Sequence, residues 1–360
     1  MSEDRIKKQF AEATAKGGKT VKRHRPQPPL GIRDRIHRQQ AETALSPAAT
    51  RSADSRGRYL PEPDDDLLTP FQVDRDRLLF SKAFRRLRNK TQVFPDPPGD
   101  HVITRLTHTI HVAQIGRSLA VALGLNESLA EAICLGHDIG HSPFGHVGEE
   151  ALSPYVQEGD WHHAAHGVRL LNTLEPLNLT FETLDGVRAH TWRIDPGPST
   201  PEGMLCRFAD RIAYLTHDLD DAFRHNALSR REIPAAMVER FGEPQQWVSA
   251  MGRAVVDQSA RSGKVSMDPE ALSVMTEFRT MMFERVYESP QRIKEHKWAV
   301  AVITRLVEHF IRNPEDLPSD FGLESDPPQV RAVDYVAGFT DRAAMSAYQR
   351  LFGDIPGLPG

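Results

Sequence analysis

From about Asp65 onward, apolar residues recur three and four positions apart, and runs that alternate at every second position are scarce. DRDRLLFSKAFRRLRN, THTIHVAQIGRSLAVALG and KWAVAVITRLVEHFIR each gather their apolar side chains into one stripe, so the spacing predicts helices and an all-α fold. Gly124 is placed to end the second of these helices, because glycine accepts the left-handed backbone that closes a helix. Asn126 then caps the next, NESLAEAICLGHD, with its side-chain oxygen facing the first-turn amides. A further helical stretch, GMLCRFADRIAYLTHDLDDAF, runs from Gly203 to Phe223, and the part from Arg230 to Pro290 is helical with a weaker signature.

These patterns divide the chain into four expected parts. Residues 1–32 carry many lysines and arginines, few apolar residues and then PQPPLG, which reads as a disordered basic tail. Residues 33–64 form an arm and linker, residues 65–225 the helical core, and residues 226–360 a C-terminal helical region packed on that core. At 360 residues with 39% hydrophobic and 26% charged content the chain can bury a sizeable core. The net charge of −4 supplies no global basic field, so an anionic ligand must meet local cations. Cys134 and Cys206 are too few for a disulfide framework, and no apolar run reaches the roughly 18 residues of a membrane span. A cytoplasmic protein with no membrane partner is the expectation.

Candidate chemistry concentrates in one stretch. His137, His141, His146, His162, His163 and His166 crowd beside Asp138 and Glu149. His137 and His141 would share a helix face, whereas Asp138 projects about 100° away and reaches the same point only near a helix end. Gly140 and Pro143 supply such an end. A second His-Asp dipeptide, His217 and Asp218, means that the dipeptide alone does not say which pair binds metal. Asp210, Tyr214 and Asp218 fall at i, i+4 and i+8 and so line one face of one helix. Serine or cysteine nucleophile elbows and the zincin H-E-x-x-H are missing.

RLTHTIHVAQIGRS, LGHDIGHSPFGHVGEE and FADRIAYLTHDLDD, in that order, resemble the signatures of the deoxyguanosine triphosphate triphosphohydrolase-like branch of the HD superfamily. The flanking SKAFRRLRNKTQVF and DYVAGFTDR resemble the same branch, and the match spans Arg33 to Phe352. The resemblance implies an HD-domain helical bundle with additional peripheral helices. It implies one divalent ion per subunit (manganese, magnesium, iron or similar) on His108, His137, Asp138 and Asp210, with His217 outside the ligand set. The implied reaction is attack of water on the α-phosphorus of a deoxynucleoside triphosphate, releasing deoxynucleoside and intact triphosphate.

The same resemblance assigns a catalytic pair to His146 and Glu149, and sets His141 and His163 facing the phosphates. Arg105 and Arg211 would hold the triphosphate. Tyr214 would pack against C2′ and leave no room for a ribose hydroxyl, while Asp218 and Gln92 bind the 3′-OH. A homo-oligomer and an activating nucleotide are further implications. Departures from the pattern are Ser142 in place of a common proline, His111 in place of a common acidic residue, and WHHAAHG as a loose form of the family's FEHNxQ. The competing readings are an HD phosphohydrolase acting on a nucleoside monophosphate, guanosine tetraphosphate or a cyclic dinucleotide, and a non-catalytic nucleotide sensor or weak single-stranded nucleic-acid binder using the basic tail and FRRLRNK.

Overall fold

The computed structural model describes residues 31–92, 103–287 and 290–353. The expected basic tail lies outside them apart from its last two residues, as do Val93 and Phe94 of KTQVF and the closing residues 354–360. Among the described residues the chain is helical throughout, with isolated bridges at Arg58–Thr180 and Thr91–Thr104 and no strand. The expected all-α class holds. No described helix is long and apolar enough to cross a membrane.

In chain order the helices begin with α1 (Arg35–Ala41), α2 (Pro70–Phe80) and α3 (Lys82–Arg86). Six more carry the centre of the molecule: α4 (Arg105–Leu123), α5 (Glu127–Gly136), α6 (His146–Leu152), α7 (His163–Arg169), α8 (Phe181–Ala189) and α9 (Pro201–Arg224). The rest are α10 (Ala235–Phe241), α11 (Trp247–Ser262), α12 (Pro269–Met282), α13 (Pro290–Arg312), α14 (Pro328–Ala337) and α15 (Asp341–Phe352).

Local signals set the ends of the central helices. Thr104 Oγ1 accepts the Thr107 amide at the start of α4, and Gly124 closes that helix at φ 65°, a left-handed value that favours glycine. Asn126 Oδ1 accepts the Ser128 and Leu129 amides to start α5. The two helices pack on each other and on α9. A Cβ on Gly116 would lie 2.6 Å from Cys134 Sγ, so glycine lets α4 and α5 approach closely. That approach brings His108 on α4, His137 just past the end of α5 and Asp210 on α9 to one point.

Two apolar clusters stabilise the fold. The larger buries Phe71, Leu78, Leu129, Ile133 and Ile212 among α2, α4, α5 and α9, and continues through Trp247, Met251 and Phe278. The smaller joins α6 to α13, α14 and α15 through Leu152, Ile303, Leu306 and Val336. Phe144, in the loop between α5 and α6, belongs to the smaller cluster, so that loop is held where the C-terminal helices pack. The segment before α2 is stitched to the body by hydrogen bonds. Glu202 accepts from the amides of Thr50 and Asn126, and Glu182 from Ser55 and the Arg56 amide.

Candidate metal centre and active site

Helix α5 ends at Gly136, one residue before His137, and His137–Gly140 form a tight turn. His137 Nδ1 donates to the Cys134 carbonyl at 2.6 Å, which leaves its Nε2 lone pair free. The sequence spacing placed His137 and His141 on one helix face; the turn separates them instead. The reason lies at Gly140, where a Cβ would sit 2.1 Å from the His163 carbonyl oxygen and 2.3 Å from the Gly167 nitrogen. Only glycine lets the loop run this close against α7.

Four side chains converge beside this turn. His108 Nε2 lies 3.3 Å from His137 Nε2 and 3.2 Å from Asp210 Oδ1. His137 Nε2 is 3.4 Å from Asp138 Oδ1 and 3.8 Å from Asp210 Oδ1. A divalent ion with bonds of about 2.0–2.2 Å holds neighbouring ligand atoms about 3.0–3.5 Å apart, so this spacing fits a shared cation. The donor chemistry fits too: two imidazole nitrogens and two carboxylates face one another within a mostly buried cluster. Burial raises Asp138, but its interactions with His137, His141 and Arg105, the last a direct hydrogen bond, outweigh it and hold its carboxyl well below the usual range. Burial likewise pushes His108 down, toward the neutral imidazole that binds metal.

A second cluster adjoins the first across Asp138. His141 Nε2 is 3.2 Å from Asp138 Oδ1, and its Nδ1 is 3.3 Å from Glu149 Oε1 without a hydrogen-bonding alignment. His141 and His163 stack at 3.8 Å with 14° between their planes. Both Nδ1 atoms approach Glu149 Oε1, and His163 is hydrogen-bonded to it. Stacked rings send their lone pairs out side by side, which suits a shared carboxylate better than convergence on an ion. His163 Nε2 then meets His190 Nε2 at 3.0 Å, and His190 Nδ1 donates to the Val187 carbonyl at 2.8 Å. Burial drives His141 and His163 well below the ordinary imidazole value, and His190 down to about 4.

The sequence pairs Glu149 with His146, three residues away; the structure gives the hydrogen bond to His163. His146 is exposed, with its ring 5.3 Å from that of His141. The difference follows from helix α6, whose first residue is His146 and whose interior turns Glu149 toward α7.

Both clusters open into one pocket of about 620 Å3, which every sequence-derived site residue except His137 lines. Arg105 donates from Nη1 to Asp138 Oδ2 at 2.8 Å, while its buried Nε and Nη2 have no partner. Arg211 lies over the Trp192 ring at 4.8 Å and also leaves Nε without one. Gln92 Oε1 is another buried polar atom of this kind. Tyr214 and Asp218 form the opposite wall, where Tyr287 donates to Asp218 Oδ2. A separate cavity of about 640 Å3 beside Arg35, Arg58 and Arg77 is unlike this one, since Asp64 and Glu62 already pair with those arginines.

Sequence reasoning missed several lining residues, among them His190, Trp192, Arg279 and Tyr287. His190 stands outside the crowded histidine stretch, and Tyr287 reaches the pocket from a π-helical turn far along the chain. His217, set aside as a ligand, is buried behind His108 and hydrogen-bonds it at 2.8 Å.

Comparisons with known proteins place the chain in a family. Residues 105–215 match the HD domain, and residues 265–350 match the phosphohydrolase-associated domain. A deoxyguanosinetriphosphate triphosphohydrolase-like protein of Caldanaerobacter subterraneus subsp. tengcongensis is 42% identical over 319 residues, covering 87% of this chain and 93% of the relative. Its namesake in Desulfatibacillum aliphaticivorans is 39% identical over 91% of this chain and 99% of its own length. A hypothetical protein from Aquifex aeolicus of known structure shares the fold at a TM-score of 0.50 and 19% identity, covering 78% of this chain and 71% of that one. At this identity and coverage, with the HD-domain match, the chain belongs to the deoxyguanosinetriphosphate triphosphohydrolase-like family of HD-domain phosphohydrolases.

Proposed function

We propose that this protein hydrolyses deoxynucleoside triphosphates to deoxynucleoside and inorganic triphosphate, with one divalent cation held by His108, His137, Asp138 and Asp210. The observation that carries this reading is that His108, His137 and Asp138 cluster with Asp210 beside a pocket into which Arg105 and Arg211 bring partnerless guanidinium nitrogens. A divalent ion held there polarises a phosphate oxygen and acidifies water. The remaining work falls to the chain's own residues.

Arg105 is oriented by Asp138 and offers its free nitrogens to the phosphates, and Arg211 does the same from the adjacent helix. During hydrolysis the water oxygen bonds to the α-phosphorus, the bond from that phosphorus to the 5′ oxygen breaks, and the departing oxygen takes a proton. Hydrogen-bond bookkeeping identifies a source. The Val187 carbonyl accepts from His190 Nδ1, so a neutral His190 presents a bare Nε2. That atom accepts from His163 Nε2, which leaves His163 Nδ1 bare against Glu149. One exchangeable proton is therefore shared by Glu149 and His163 on the pocket wall, beside His141 and His146.

The sugar end favours a deoxynucleotide over the other nucleotides that HD hydrolases accept. In this reading Tyr214 excludes a 2′-hydroxyl and Asp218 and Gln92 receive the 3′-OH, supported by all three lining the pocket and by the partnerless Gln92 Oε1. Homo-oligomer formation and activation by a second nucleotide belong to the same reading. It is tested by incubating the protein with each deoxynucleotide, singly and in mixtures, plus manganese or magnesium, and separating the products. Nucleoside with triphosphate supports it; diphosphate, monophosphate or no product overturns it.

A further inference from the structure

A chain of side chains runs from the metal cluster to the far wall of the pocket. His108 Nδ1 meets His217 Nε2 at 2.8 Å, His217 Nδ1 meets Asp218 Oδ1 at 2.9 Å, and Tyr287 donates its hydroxyl to Asp218 Oδ2. His217 itself is buried and does not line the pocket, whereas Asp218 and Tyr287 do. We propose that His217 is a positioning residue that fixes His108 in its metal-binding tautomer and couples the cation to the sugar end of the pocket.

Each hydrogen in the chain has one consistent place. A metal-binding Nε2 on His108 requires the proton on Nδ1, which donates to His217 Nε2. His217 is then protonated on Nδ1 and donates to Asp218, whose second oxygen receives the Tyr287 hydroxyl. Reversal of either tautomer leaves two lone pairs or two protons facing each other in a buried site, and a flip of either ring puts a C–H where a bonding nitrogen stood. Asp218, as the anion at the end, orders the series.

The arrangement makes two consequences separable. The first concerns metal alone and is independent of any nucleotide. A ligand histidine that loses its outer hydrogen-bond partner binds its ion about 10–100-fold more weakly. The second rests on the deoxynucleotide reading: a 3′-OH that engages Asp218 shifts the same hydrogen bonds, so nucleotide and cation affect each other's affinity reciprocally.

The test measures manganese affinity of the full chain by paramagnetic resonance of free Mn2+, comparing native protein with His217→Phe, His217→Asn and His217→Gln. Glutamine places an oxygen near the position of Nε2 and can still accept from His108; asparagine and phenylalanine cannot. The expected order is native close to glutamine, with asparagine and phenylalanine weaker by about 10–100-fold. Phenylalanine and asparagine variants within twofold of native overturn the proposal, and glutamine as weak as phenylalanine overturns its tautomer argument. Thermal unfolding followed by circular dichroism confirms that the variants being compared are folded. A second arm repeats the titration with a deoxynucleoside triphosphate and with its 3′-deoxy analogue. Native protein should bind manganese more tightly with the former, and the phenylalanine variant should lose the difference; a retained difference refutes the coupling. If neither nucleotide binds, the deoxynucleotide reading and the coupling built on it fail together, while the metal-only arm still decides the tautomer role.

Discussion

His166 gives a measure of how firmly the loop between α5 and α6 is anchored. It lies buried on α7, donates from Nδ1 to the Gly140 carbonyl at 2.8 Å, and leaves Nε2 without a hydrogen bond. Burial, with the cations Lys90, Arg169 and Arg86 adding to it and the Gly140 bond opposing it, brings its pKa down to about 4. Asp334 approaches Nε2 to 3.8 Å but is already occupied by Arg169. With an unfolded value near 6.5, the unfolded chain binds more protons than the folded one between about pH 6.5 and 4, so stability is intact above that window and falls within it. At about pH 5 the loss from this one group is roughly 2 kcal/mol. His166→Asn keeps a donor near the Nδ1 position and cannot titrate. Urea unfolding followed by tryptophan fluorescence should show the variant less stable than native at pH 7.5, with the gap narrowing by roughly 2 kcal/mol at pH 5. A gap that changes by less than about 0.5 kcal/mol between the two would refute the buried, neutral histidine.

Gly140→Ala drives a Cβ into backbone atoms of His163 and Gly167 and should lower stability by about 2–3 kcal/mol in the same unfolding assay, with turnover lost as His163 is displaced. Arg105→Lys retains charge but not the fork that spans Asp138 and phosphate, so KM for the nucleotide should rise about tenfold in steady-state kinetics. Tyr214→Ala should relax discrimination between ribo- and deoxyribonucleotides by about 10–100-fold, read as the ratio of kcat/KM values. Asp341→Ala removes the acceptor for the amides of Thr91 and Phe144 and for the Thr91 hydroxyl, and kcat should fall further than KM rises.

Helix content and most of the central helix ends were legible because each rests on a local signal: an apolar stripe, Asn126 before α5, Gly124 after α4. The convergence of His108, His137, Asp138 and Asp210 was legible only through the ordered motifs, since no spacing rule joins His108 to Asp210 across a hundred residues. What escaped was anything fixed by packing between distant segments. His146 and Glu149 stand three apart and look like a pair, yet α7 supplies His163 to the carboxylate first. His217 reads as a spare copy of the metal dipeptide until α4 places His108 against it. Tyr287 carries no motif at all and reaches Asp218 only because α12 runs on into a π-helical turn.

The C-terminal helices bear on the chemistry through the same loop. Phe144 takes a positive φ of 58°, unusual for a side chain of its size, and its amide is held by Asp341 at 2.9 Å. Next to it Gly145 at φ 61° leaves room for Arg105, whose Nη2 a Cβ would meet at 2.5 Å. Lys90, fully buried and with its pKa lowered to about 7 chiefly by that burial, donates to the His141 carbonyl and to the Ala337 carbonyl. The loop that aims His141 and frames Arg105 is thus tied at one end to the segment carrying Gln92 and at the other to the start of α15. A phosphohydrolase-associated region with hydrogen bonds at these points helps frame the pocket, because Asp341 holds the amide of the strained Phe144 and the Ala337 carbonyl holds Lys90, which in turn bonds the His141 carbonyl.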